Sequence, residues 1–174
     1  AAILKRWQGT EKEGMMISVN ISVNDMLHLD IFQTMTDIVK RHGIDAKQLK
    51  LEITETALMG DIEKYRKLVS SLQEAGFEVE IDDFGSGYSN YYRILELDID
   101  TIKIDGSIIK KLPFDKNARY LLQTIIDFAG RQGYNVVAEF VSSEEILAEI
   151  KKFGIKYAQG FLLGKPTSPS NIEE

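Results

Sequence analysis

Glu80-Ile81-Asp82-Asp83-Phe84-Gly85-Ser86-Gly87-Tyr88 joins an apolar-patterned run to two adjacent acids and then to a Gly-Ser-Gly turn. Together with Phe77, Val79 and Ile81 it reads as a buried strand that ends in carboxylates and passes into a glycine-rich loop. Adjacent carboxylates repel unless positive charge lies between them. Two readings therefore stand open for Asp82-Asp83: an Asx-type turn closing the strand, or oxygen ligands bridged by a divalent cation.

Outward from this stretch, strand-like and helix-like patterns alternate. Strand runs are expected at Met15–Ser22, Leu49–Thr56, Thr101–Asp105, Tyr134–Val141 and Ile155–Leu162, besides the one before Asp83. Between them lie helical stripes. One, through Phe32, Met35, Ile38 and Val39, starts at Asp30 and Gln33 like a capping box and is closed by Gly43. The others run through Ile62 to Leu72, closed by Gly76, through Leu121 to Ala129, ended by Gly133, and through Ile146 to Ile150, with a short helical stretch at Tyr91 to Leu95. Six strands alternating with helices predict an α/β fold with a parallel sheet. Residues 1–8 read as the end of a helix stopped by Gly9, so the chain is expected to be a fragment.

Each expected strand carries one polar residue near its end: Asn20, Glu52, Asp82, Lys103, Glu139 and Gln159, spaced 20 to 36 residues apart. In parallel βα folds the strand C-termini gather on one face, where chemistry is done. Oxygen ligands and one lysine at matching depth would each cost several kcal/mol if buried without partners, so packing explains the set poorly. Asn20, Glu52, Asp82, Asp83 and Glu139 offer hard oxygen donors, which suit Mg²⁺ or Mn²⁺, or Ca²⁺ as a non-productive occupant, over zinc. Lys103 is read either as lying beside an attacking water or phosphate, or as the counter-ion of Asp105.

Composition narrows the classes. The 174 residues suffice for one domain with a real core. A net charge of −6 argues against a nucleic-acid polymer as partner. The absence of cysteine excludes disulfides and thiolate zinc sites. His28 and His42 have no metal-type spacing and read as solvated helix-end residues. No apolar run approaches a membrane span and no signal-peptide pattern opens the chain, so the expected location is the cytoplasm, in the soluble part of whatever protein carries it.

SVNIS, LEITE, EIDDFGSGYS, TIKIDGS, VVAEFV and AQGFLLGKP follow in order the motifs of the EAL domain, and in this the chain resembles the cyclic di-GMP phosphodiesterases. The resemblance implies a TIM-type (β/α) barrel whose metals, Mg²⁺ or Mn²⁺ in a two-metal site inhibited by Ca²⁺, cleave cyclic di-GMP to linear pGpG. Carried over by motif, Asn20, Glu52, Asp82, Asp83 and Glu139 are similar to metal ligands. Lys103 is similar to the residue that orients the hydrolytic water, and Glu139 is also the general-base candidate. Gln159 and Asp105 resemble substrate-binding positions. Residues 85–92, with Gly85, Ser86 and Gly87, resemble the loop that joins the metal site to the dimer interface in the family. The resemblance further implies a bacterial signalling protein, a homodimer, and a sensory or GGDEF domain upstream.

Three departures stand out. The Glu-Ala-Leu signature and the first two barrel strands are missing, so residues 1–174 are expected to form a single, incomplete barrel of about six strands that is inactive alone. Phe140 stands where the motif has glycine. Ser142 stands where it has the glutamate that steadies the loop after Asp83; alternatively, Ser142 caps the next helix with Glu145 three residues on. These changes leave a second expectation open, a degenerate EAL domain acting as a cyclic di-GMP receptor or a dimerisation module.

Overall fold

The computed structural model describes residues 1–28, 30–87 and 91–167, apart from the side chains of residues 27, 28 and 59. Tyr88 lies outside the described residues, as does the His28 side chain. The strands follow one another in a six-stranded parallel sheet whose order is the order of the chain, so the first and last stand at its two ends. Two compact units divide the chain: Ala1–Ile81 with Asn90–Ile99, and Asp82–Ser89 with Asp100–Glu174.

The first unit contains α1 (Ala2–Trp7), β1 (Ile17–Ile21), α2 (Val23–His28), α3 (Ile31–His42), β2 (Leu49–Thr54), α4 (Ile62–Glu74), the start of β3 (Glu78–Phe84) and α5 (Tyr91–Leu95). Polar residues set the helix limits. Asp30 accepts the backbone N–H of Gln33 at the start of α3, and Gly43, at φ 62°, ends it in the left-handed conformation that glycine adopts without a Cβ penalty. The expected capping box is not closed, because the Gln33 amide donates to Asp37 instead of returning to the cap. His42 is the last residue of α3, as read from the sequence. Asn20 and Glu52 are opposite one another in the β1–β2 register. Leu49, Leu51 and Ile53 are buried on one face of β2, while Lys50 and Glu52 take the other by the two-residue period of a strand.

The second unit contains the end of β3, then β4 (Thr101–Ile104), α6 (Gly106–Ile109), α7 (Lys116–Gln132), β5 (Asn135–Ala138), α8 (Glu144–Lys152) and β6 (Tyr157–Ala158). Its core includes Ile102, Ile104, Ile109, Leu122, Ile125 and Ala138. β6 is two residues long, against the eight expected. Past Ala158 the backbone leaves the β5 ladder: Gln159 N–H donates to Ala138 O, and Val141 N–H donates back to Gln159 O. A Cβ at Gly160 would collide with the backbone of Val141, so this close crossing replaces the rest of the expected strand. The residue that caps α8 is Ser143, whose Oγ accepts the Ile146 N–H, and not Ser142, which is exposed. The capping alternative for Ser142 is thereby corrected.

Candidate metal site

Asp82, Asp83 and Glu139 each place a carboxylate oxygen within 4.8 Å of the others'. Adjacent residues of a regular strand face opposite sides of the sheet. Asp83 escapes this rule because its φ is 55°, a left-handed conformation that aspartate tolerates better than most residues. The turn lets its carboxylate rejoin that of Asp82. Glu139 follows directly after β5, its N–H donating to Ile104 O, and its side chain is almost fully buried.

Lys103, in the centre of β4, lies among these acids. Its Nζ is 2.9 Å from Asp82 Oδ1 and 2.9 Å from Glu139 Oε1, with only 5% of its side chain exposed. Of the two readings of Lys103, the geometry favours membership of the acidic site. Asp105 instead caps α6 by accepting the Ser107 N–H at 2.8 Å. Burial pushes the Glu139 carboxyl above the usual carboxylate range, and the charges of Asp82 and Asp83 push the same way; Lys103 pulls against them.

The donor set fits a divalent cation. Three carboxylates supply hard oxygens and no nitrogen or sulfur ligand, the chemistry of Mg²⁺, Mn²⁺ or Ca²⁺. The structure therefore brings together four of the expected residues, Asp82, Asp83, Lys103 and Glu139. Asn20 and Glu52 form their own adjacent pair in the first unit, Asn20 exposed and Glu52 buried. Gln159 is exposed and engages β5 through its backbone. Gly85, at φ 88°, sits so close to Ile108 that a Cβ there would come within 2.5 Å of its Cδ1.

Sequence reading missed a second ionic group in the first unit. Lys50 lies 2.8 Å from Glu80 Oε1 and 3.1 Å from Glu78 Oε2, and Ser18 Oγ lies 3.4 Å from Glu80 Oε2. The signal was available: Lys50 precedes Glu52 by two residues, and Glu80 precedes Asp82 by two, so each shares a strand face with an expected ligand. Also missed was the backbone of Phe140, left-handed at φ 54°.

A parallel α/β sheet with carboxylates and a lysine near the C-terminal ends of its strands places polar groups where folds of this class hold their sites. The EAL domain family matches residues 1–166, and the chain belongs to that family. It is 35% identical over 166 residues to the probable cyclic di-GMP phosphodiesterase PdeA of Escherichia coli, covering 94% of this chain and 23% of that protein. The chain thus spans about a quarter of the length of the curated relatives it matches. The EAL domain of Mycobacterium smegmatis DcpA superposes with a TM-score of 0.92 at 32% identity, covering 99% of this chain and 78% of that one. A manganese and cyclic di-GMP complex of Klebsiella pneumoniae BlrP1 superposes with a TM-score of 0.81 at 26% identity, covering 92% of this chain and 41% of that one, and BlrP1 is also known as a calcium complex. Among the described residues, no helix is long and apolar enough to cross a membrane.

Proposed function

We propose that the protein carrying this domain hydrolyses cyclic di-GMP to linear pGpG, with Asp82, Asp83 and Glu139 as ligands of Mg²⁺ or Mn²⁺ and Asn20 and Glu52 completing a two-metal set. The observation that carries this reading is Lys103, which reaches both Asp82 and Glu139 inside the carboxylate cluster. A bound divalent cation supplies water activation and neutralises charge on the phosphodiester. Lys103, a buried donor, orients the attacking water. Glu139, with its raised pKa, accepts that water's proton as the P–O ester bond breaks. Gln159 and Asp105 contact the dinucleotide. The relatives named cyclic di-GMP phosphodiesterases and the complex with cyclic di-GMP support the substrate class.

The reading extends to a bacterial homodimer within a longer cytoplasmic or membrane-anchored signalling protein, with a sensory or GGDEF domain upstream, and to Ca²⁺ as an inhibitor. Ca²⁺ accepts irregular, high coordination, whereas Mg²⁺ demands tight octahedral geometry. A second reading, a cyclic di-GMP receptor or dimerisation module, is favoured by Phe140 and Ser142, which depart from the motif beside Glu139.

The test is chromatographic detection of pGpG from cyclic di-GMP, with Mg²⁺, Mn²⁺ or Ca²⁺, using the protein that carries this domain. Turnover with Mg²⁺ or Mn²⁺ only, lost in Asp82→Asn, is expected. Lys103→Ala should lower turnover far more than dinucleotide affinity. Tight binding without turnover under any metal would establish the receptor reading instead.

A further inference from the structure

Two of the turns that carry acids rest on α6. The turn after Asp83 does so through Gly85, pressed against Ile108, and through the Asp105 N–H, which donates to Phe84 O just before the helix. The turn after Glu139 does so through Phe140. A Cβ on Gly106, the first residue of α6, would come within 2.5 Å of Phe140 Cδ2, 2.6 Å of Cγ and 2.8 Å of Cβ, so the ring occupies space that only glycine leaves open. On the same helix's C-terminal side, the Lys110 ammonium lies 4.2 Å from the centre of the Phe140 ring.

Phenylalanine at φ 54° is unusual, because its Cβ crowds the backbone there, and such residues persist only where their surroundings over-determine them. Backbone bonds pin the chain on both sides: Glu139 N–H to Ile104 O, and Val141 N–H to Gln159 O. The seated ring holds the residue between. A half-exposed aromatic side chain with no structural task would be free to leave for a relaxed backbone; this one is clamped between a glycine and a lysine.

We propose that Phe140 is a positioning residue: its ring, seated on Gly106 beneath Lys110, ties the Glu139 turn to α6, the helix that also supports the Asp83 turn, and so sets how the Glu139 and Asp83 carboxylates face a shared cation. This rests on the metal reading above for its consequence, though not for the coupling itself.

The test uses the 174-residue chain and two readouts. The first is amide hydrogen exchange without metal. Phe140→Ala should cost protection at Ser86, whose N–H donates to Asp83 O, and at Asp105, whose N–H donates to Phe84 O. Phe140→Tyr, which keeps the ring, should not. The second is Mn²⁺ affinity by paramagnetic resonance of the free ion. Phe140→Ala should lose roughly 10–100-fold, the usual range when a group that orients metal ligands is removed. Gly106→Ala, which evicts the ring, should match it, and the double variant should be no worse than either single one. Circular dichroism confirms that each variant is folded. Unchanged protection at Ser86 and Asp105 in folded Phe140→Ala overturns the coupling, as does additive loss in the double variant. Lost protection in folded Phe140→Ala supports the coupling whether or not the 174-residue piece binds Mn²⁺ by itself, and unchanged Mn²⁺ affinity in that variant of a chain that does bind overturns the consequence for the cation.

Discussion

Lys103 Nζ lies 2.9 Å from Glu139 Oε1 and, at the same 2.9 Å, from Asp82 Oδ1, so one buried ammonium neutralises carboxylates supplied by β3 and by the turn after β5. Removing one partner of such a group leaves uncompensated buried charge, at about 3–5 kcal/mol. Lys103→Ala should therefore melt well below wild type in the presence of a chelator. Mn²⁺ should recover more of the melting temperature in the variant than it adds to wild type, because the cation takes over the neutralisation. Equal Mn²⁺-induced shifts in the two proteins would contradict this.

Glu139 gives a pH signature. Its carboxyl is raised by burial and by the neighbouring acids, so folding favours its protonated form. The resulting stabilisation is complete below the ordinary carboxylate value of about 4.3 and is lost as pH rises through the raised value. Without metal, Glu139→Gln should melt above wild type at neutral pH and level with it near about pH 4. A difference independent of pH would show that the side chain's charge plays no part. Cation binding, which needs the deprotonated carboxylate, should strengthen as pH rises through the same window.

The Lys50–Glu80 pair predicts non-additivity. Only 4% of the Glu80 side chain and 20% of that of Lys50 are exposed. Lys50→Met strands a buried carboxylate and should cost about 3–5 kcal/mol in a denaturant melt. Replacing both residues, Lys50→Met with Glu80→Leu, should recover most of the loss, since burying an ion pair carries its own desolvation cost. Additive losses would place the effect outside the pair.

Gly85→Ala should destabilise the chain for two reasons. A left-handed φ of 88° costs a non-glycine residue about 1–2 kcal/mol, and Ile108 must also move aside. The loss should be visible in thermal melts. An unchanged melting temperature would mean that the loop relaxes freely around this position.

Strand and helix order was legible because apolar period and terminal glycines agree: Gly43 and Gly133 both end their helices left-handed. The acids at the strand ends were legible because a carboxylate in an apolar run has few innocent explanations. Backbone departures were not legible. β6 ends early because Gly160 crosses against Val141, a tertiary contact between two elements that local pattern cannot reveal. Ser143 rather than Ser142 caps α8 because helix limits shift by one residue without altering the apolar stripe. Phe140 shows in the sequence only as a departure from a motif glycine, whereas its left-handed φ and its seat on Gly106 are visible only in three dimensions.

The turn at Asp83 bears on how the chain emerges during synthesis. Asp82 and Asp83 leave the ribosome first, Lys103 later, and Glu139 later still. Until β4 is made, the two aspartates have neither that counter-charge nor the third carboxylate, and the left-handed bend at Asp83 has no α6 to rest on. A cation in the cell therefore meets a competent set of ligands only after most of the chain has been translated. On the proposed metal reading, the cation would reward completed folding of the second unit and would not nucleate it.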